Sequence, residues 1–381
     1  MRRATMPGPV IIGGGPAGAT AAILLARAGR AVTLIERNTG PTDKVCGDFL
    51  SAEAIEALAV LGVDVPALAP SRITGVRLVH GNRAATARLP FSALGLTRRA
   101  LDEALLRQAE LSGAMVLRGQ PVRGINRNNG SMRLDCGSHG QVVADTVFLA
   151  TGKHDLRGAA RPVRGTGLVG LKMYYALDPC QQAALRSHVE LILFAGGYAG
   201  LQLVESDQAV LCVLVAGATL RDADGQWDKL LDRLMHECPH LADRLSGARP
   251  LLERPLAIAG LPYGYTHAPD GQNWPGLFRL GDQATVIASL TGDGVALALA
   301  SATLASRRWL GYGNAAGAYH LAWARRMAAQ TRLSSLIHRA CLAPSAQPWL
   351  LRLCRSWPQI MRLAASRTRM RGDPFRQVFD A

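Results

Sequence analysis

The chain has 381 residues, 49% of them hydrophobic, with 40 glycines: enough for one large core or two intertwined domains with many tight turns. No long uncharged apolar run is present, and no apolar stretch with a cleavage site follows Met1-Arg2-Arg3, so neither a spanning helix nor a cleavable signal is expected. Seven scattered cysteines without a C-x-x-C pair exclude a disulfide framework and a zinc site, leaving a cytoplasmic protein whose net charge of +15 is unusual for a metabolic enzyme.

Val10-Ile11-Ile12 reads as a short strand running into Gly13-Gly14-Gly15-Pro16-Ala17-Gly18, which satisfies G-x-G-x-x-G. Ala19 to Ala28 is a strong helix former, Gly29 stops it, and Ala31 to Ile35 reads as a second strand ended by Glu36 and Arg37. Gly13 permits the tight turn, Gly15 lets the backbone reach a pyrophosphate, and Gly18 brings helix and strand together. Pro16 and Ala17 open the helix whose free N–H groups face the phosphates. Glu36 suits the adenosine ribose hydroxyls and disfavours a 2′-phosphate, so NADP does not belong in this site. The order strand, glycines, helix, strand, acid makes this a dinucleotide-binding βαβ unit.

Next comes the loop Asp43-Lys44-Val45-Cys46-Gly47-Asp48-Phe49-Leu50-Ser51, then a helix from Ala52 to Leu61. Arg98-Arg99-Ala100-Leu101-Asp102 and Leu149-Ala150-Thr151-Gly152 follow. A second glycine pattern, Gly165-Thr166-Gly167-Leu168-Val169-Gly170, precedes strand-like Leu171 to Tyr175 rather than a helix, so it offers no phosphate site. Residues 168–216 are β-rich, with strands at 189–194 and 209–215; another is expected at 257–263, and a helix broken at Pro239 at 227–245. Leu277 to Leu280 reads as a buried strand running into Gly281-Asp282, and Gly292-Asp293-Gly294 opens the apolar helix Val295 to Leu304. From Ala318 on, the chain reads as helices with turns at Pro344 and Pro348, with Leu350, Leu351, Leu353, Trp357, Ile360 and Met361 as core positions or, second, a lid over the pocket. Arg325, Arg326, Arg332, Arg339, Arg352, Arg355, Arg362, Arg367, Arg369, Arg371 and Arg376 face only Asp373 and Asp380 there. They form either a solvated basic surface or a docking face for an acidic carrier protein or an anionic membrane. With no recognised motif and no regular stacking aromatics, nucleic acid is not an expected partner.

The pairing of the N-terminal glycine turn with Gly281-Asp282 resembles the aromatic-hydroxylase and geranylgeranyl-reductase superfamily of FAD-dependent oxidoreductases. The resemblance implies that Asp282 binds the ribityl hydroxyls and that Gly281, Gly292, Asp293 and Gly294 sit against the flavin. It also places Arg98, Thr151 and Gly152 along the cofactor. Thr151 stands where hydroxylases carry aspartate, which leaves the electron donor open between NAD(P)H and a separate flavin reductase. Asp43 to Ser51 resembles the Lys-x-Cys-Gly-Glu segment of geranylgeranyl reductases, which implies that Asp48 and Cys46 lie near the isoalloxazine and act on protons. Tyr198 matches the first residue of the prenyl reductases' Tyr-x-Trp-x-Phe-Pro and is the candidate substrate contact, while Gly200 and Gln202 replace the Trp and Phe.

The expected fold is α/β: a glutathione-reductase-type, Rossmann-like FAD domain with an inserted antiparallel-sheet substrate domain and a C-terminal helical segment. The FAD domain is expected over 1–75, 96–165 and 275–315, the substrate domain over 76–95 and 166–274, and the basic helices over 316–381. The expected activity is oxidation or reduction of a hydrophobic small molecule in secondary metabolism. Because the prenyl motif is broken, a flavin monooxygenase is favoured over a C=C reductase or dehydrogenase using hydride transfer at flavin N5. A halogenase, lacking its Trp-x-Trp-x-Ile-Pro, and a non-enzymatic flavin protein rank below both.

Overall fold

Short apolar runs make the central sheet. The computed structural model describes residues 3–6, 8–128, 130–162, 165–269 and 274–370; Arg371, Asp373, Arg376 and Asp380 lie outside the described residues. Five parallel strands lie in the spatial order Leu277–Arg279, Val147–Leu149, Val10–Ile12, Thr33–Ile35, Met115–Leu117. The first four are buried throughout, as parallel strands are when layers cover both faces. Helix Pro16–Arg27 packs between helices Arg98–Leu111 and Gly294–Tyr312, its small residues allowing close approach. A four-stranded meander, Gly124–Asn128, Ser131–Asp135 and Gln141–Ala144 with Arg3–Thr5, lies beside this sheet.

The second large sheet is built from strands centred on Leu168–Ala176, Ala209–Ala216, Gly197–Leu203, Ser187–Phe194, Ser71–His80 and Arg83–Gly95, with Phe49–Leu50 at its edge. It is not antiparallel throughout: Ser187–Phe194 runs parallel to Ser71–His80, because helix Pro179–Leu185 carries the chain back across before that strand begins. The strand expected at 257–263 is shorter, Leu256–Ala259. Alternation gives the sheet two faces. Leu171, Met173, Leu201, Leu211 and Val213 pack outward against Leu230, Leu234 and Leu241 of helices Trp227–Glu237 and Pro239–Leu245. Gly170, Lys172, Gly200, Gln202 and Cys212 fall on the other face, where Lys172, Cys212 and Gly200 are in register across three strands.

The C-terminal helices are Ala316–Leu342, Gln347–Ser356 and Gln359–Arg367. Tyr319, Trp323 and Met327 join the nucleotide-domain core, whereas Cys341, Leu351, Cys354 and Met361 cover Ile73, Val76 and Leu78 of the large sheet. Leu353 and Trp357, expected in the core, point to solvent at 38% and 59% exposure, because the helix turns Leu351 and Cys354 inward instead. Among the described residues no helix is long and apolar enough to cross a membrane.

Glu190 is fully buried under the outer helices and accepts from Arg77 (2.8 Å), His240 (2.8 Å) and Arg244 (3.0 Å). Burial opposes its charge, but His240 and Arg244 win and hold the carboxyl down at about 2, below its ordinary 4.5. A depressed carboxylate stabilises the fold fully above the unfolded value and loses that contribution as pH falls through the folded one. Glu190→Gln is therefore expected to cost roughly 1.5–3 kcal/mol at pH 7, a gap that shrinks as urea titrations are repeated from pH 4.5 down towards about 2.

Candidate active site

Four strands of the parallel sheet end at the same edge, and the residues that follow them face one crevice, where open α/β sheets bind ligands. Gly13 follows the first, Glu36 the second, Thr151 and Gly152 come after Val147–Leu149, and Gly281-Asp282 after Leu277–Arg279. Gly13 has φ +103°, and a Cβ there would lie 2.5 Å from the Ala150 carbonyl oxygen. A Cβ on Gly18 would lie 1.9 Å from the Gly13 carbonyl oxygen. The first turn of helix Pro16–Arg27 has Gly15 as an N-cap without a side-chain bond, so its amides stay available. Ahead of Gly15 stands Arg98, 3.2 Å from a would-be Cβ and held bidentately by Asp102 at 2.8 Å; Lys44 reaches the same Asp102 at 2.9 Å.

Glu36 is buried and accepts from the Gly14 amide (2.6 Å) and from Asn38 (2.7 Å). A shallow groove runs from this turn past Asn38, Lys44, Asp102 and Arg118. Arg37 is exposed beside His154, whose pKa falls through burial and then through Arg37 and Lys153.

The distant segment meets the glycine turn directly. Gly281, at φ +55°, leaves room for Ala17, whose Cβ would be 3.3 Å from a Cβ at 281. The Asp282 backbone oxygen accepts from Arg161 (3.1 Å), and its half-buried carboxylate makes no hydrogen bond among the described residues. Gln283, fully buried, donates to the Gly152 (2.8 Å) and His154 (3.0 Å) carbonyls and so ties the third strand end to the fourth. Thr151 turns its hydroxyl onto the His154 carbonyl at 2.7 Å.

Gly292 has φ +67°, and the helix begins at Gly294, where a Cβ would meet open space. Asp293 does not turn its side chain into that space. Its carboxylate is buried and accepts from Ser51 (3.3 Å), Gln330 (2.7 Å) and Arg369 (3.2 Å). Arg369 also donates to the Thr291 carbonyl, so the arginine expected on the basic surface is 8% exposed and anchors this turn. Burial raises the Asp293 pKa, opposed first by Arg369.

The loop of Cys46 and Asp48 lies between the two sheets. Asp48 sits at φ +54°, a backbone region costly for a non-glycine residue. Its Oδ2 accepts from Lys172 (2.6 Å) and Tyr174 (2.8 Å), and its backbone oxygen from Gln202 (2.9 Å). Lys172 has no exposed side chain and also donates to the Lys44 carbonyl at 3.0 Å, while Lys153 donates to that of Val45. Oδ1 of Asp48 is buried without a partner among the described residues. Burial pushes the Asp48 carboxyl above the usual carboxylate range against the opposing pull of Lys172 and Tyr174, and pushes the Tyr174 phenol up as well. Cys46 is half-buried, close enough to Arg98, Tyr174, Cys212 and Tyr263 to influence their ionisation.

Tyr198 is buried, its hydroxyl 2.8 Å from Ser289 and its ring edge-on to His338. The space lies two residues on: a Cβ at Gly200 would meet nothing within 4 Å. Lys172, Tyr174, Gln202, Arg161, Gln283 and Arg369 escape sequence reading. Lys172 carried one signal, a single charge in the middle of the apolar strand Leu168–Ala176.

Uncapped amides, a glycine-lined approach, a ribose-facing acid and a free carboxylate on the adjoining turn fit FAD: Gly13 to Gly18, Glu36 and Arg98 for its adenosine diphosphate, Asp282 and the start of helix Gly294–Tyr312 for its ribityl and ring. This is the site of a flavin-dependent oxidoreductase. Residues 9–147 match the family model for the FAD binding domain, and the fold is that of FAD-dependent halogenases and of a geranylgeranyl reductase-like protein. Menaquinone reductase of Mycobacterium tuberculosis is 28% identical over 320 residues, 78% of this chain and 75% of its own. Protein FixC of Escherichia coli is 30% identical over 183 residues, 43% of this chain and 42% of its own. The fold recurs in the flavin-dependent brominase Bmp2, with TM-score 0.78 and 16% identity, covering 99% of this chain and 98% of that one. It recurs in a geranylgeranyl bacteriochlorophyll reductase-like protein of Thermoplasma acidophilum, with TM-score 0.74 and 16% identity, covering 99% and 96%.

Replacing Asp282 with alanine is expected to weaken FAD binding about 10- to 100-fold, the worth of a charged hydrogen bond, with the melting temperature of the flavin-free protein unchanged; equilibrium dialysis and thermal scans check this. Arg369→Met leaves a buried carboxylate unpaired and is expected to cost roughly 3–5 kcal/mol in urea unfolding. It should also lower the flavin content of purified protein, read from absorbance.

Proposed function

We propose that this chain is an FAD-dependent reductase that saturates a C=C bond of a hydrophobic small molecule. The observation that carries the proposal is the buried Asp48, gripped at Oδ2 by Lys172 and Tyr174 with Oδ1 left free. Bound FAD supplies hydride transfer to one carbon of the bond, and the other carbon needs a proton. Asp48 keeps a proton above the usual carboxylate range because burial disfavours its charged form. Lys172 and Tyr174 fix the orientation of the carboxyl, so that the proton is carried on Oδ1. Cys46 lines the same loop, and the in-register row Lys172, Cys212 and Gly200 forms the wall the substrate lies against. The similarity to menaquinone reductase over 78% of the chain supports a reductase and suggests an isoprenoid quinone as substrate. The electrons come from NAD(P)H or a separate flavin reductase.

Oxygenation is the second reading, favoured by the open space at Gly200 where prenyl reductases place Trp. Dithionite-reduced enzyme mixed with menaquinone under argon separates the two. Flavin reoxidation with a saturated product supports the reductase; product that forms only with O₂ and carries its oxygen overturns it. Asp48→Asn is expected to slow the anaerobic reaction about 100-fold or more while keeping bound flavin. The wild-type rate should fall as pH rises and strips the Asp48 proton, and the variant should lose that limb.

A further inference from the structure

Six of the nine large apolar side chains exposed among the described residues lie between Leu321 and Leu363. Trp349, Leu353 and Trp357 recur every fourth residue, which puts them on one stripe, and Leu363 continues the apolar surface on the next helix at 54% exposure. The opposite side of these helices, with Leu351, Cys354 and Met361, is packed on the large sheet, so core packing does not use the stripe. Arg352, Arg355, Arg362 and Arg367 flank it and are exposed, with Arg352 stacked 5.1 Å over the Trp349 ring. Between Asp293 and Asp373 the sequence holds twelve arginines and no carboxylate side chain.

From this we infer that the outward face of helices Gln347–Ser356 and Gln359–Arg367 docks on an anionic lipid surface. Tryptophans and leucines ringed by arginines are the composition of an interfacial helix: rings and leucines enter the headgroup boundary, and guanidinium groups meet lipid phosphates. A second copy of the same face would bring arginines against arginines. An acidic protein would satisfy the charge but would not need a tryptophan stripe. The inference is independent of the reductase reading.

The test uses flavin-loaded full-length protein and vesicle flotation. Vesicles of phosphatidylcholine with phosphatidylglycerol are expected to carry at least about tenfold more protein than phosphatidylcholine alone, with a blue shift of tryptophan fluorescence. Trp349→Ser with Trp357→Ser should abolish both the shift and flotation, and Arg352→Gln with Arg355→Gln and Arg362→Gln should erase the preference for the anionic lipid. Flavin absorbance and melting temperature, unchanged because all five side chains are exposed, certify folding. Equal flotation on both vesicles, no flotation on either, or variants that float as the parent does would overturn the inference. So would light scattering that shows a dimer dissociated by the tryptophan changes.

Discussion

Backbone clearance at the glycine turn governs the rest of this molecule. Helix Pro16–Arg27 approaches its strand so closely that Gly18 and Gly13 touch main chain to main chain. That contact sets the helix start, and the helix start sets where phosphates fit. Gly281 then settles on Ala17, so a turn more than 260 residues downstream is positioned by van der Waals contact with the first. Arg161 and Gln283 hold that turn from behind and leave the Asp282 carboxylate facing out. The cofactor site is a consequence of two tight backbone approaches, with polar side chains added around them.

A second group has the opposite character. Lys172 and Asp48 are entirely buried, and an ion pair of that kind recovers its desolvation cost only with good geometry and further hydrogen bonds. Most of those bonds are made, by Tyr174, Lys44 and Gln202, yet one carboxylate oxygen is left over and the backbone at Asp48 is strained. An apolar triplet of similar volume would serve stability as well. Strain and an unpartnered oxygen thus meet at one residue, in the loop between the two sheets, where packing alone requires neither.

The legible parts were those whose physics is local. Gly13, Gly15 and Gly18 announce a phosphate turn because each satisfies a steric demand within six residues, and the parallel strands announce themselves as continuous apolar runs. The partners of Asp48 lie 124 and 126 residues away in sequence, and nothing near Lys172 says which carboxylate it meets. Asp293 reads as a flavin contact from its neighbouring glycines, but its side chain answers to Arg369, 76 residues on, which composition assigns to a solvated surface. Trp357 and Leu353 failed for another reason: apolarity predicts burial only when the helix has a single covered face, and here the inner face was already filled. The replacement of an aromatic by Gln202 became intelligible only in three dimensions, as an amide holding the Asp48 backbone.

The buried Arg369 has a consequence for biosynthesis. Domains fold from the N-terminus as the chain is made, and the glycine turn and its sheet neighbours emerge early. The turn at Thr291 to Asp293, however, lacks its counter-charge until residue 369 has cleared the ribosome. A nascent chain, or one stopped before residue 369, would hold an unneutralised carboxylate at the start of helix Gly294–Tyr312. Closure of this turn is thereby deferred until residue 369 has emerged, long after the glycine turn it faces.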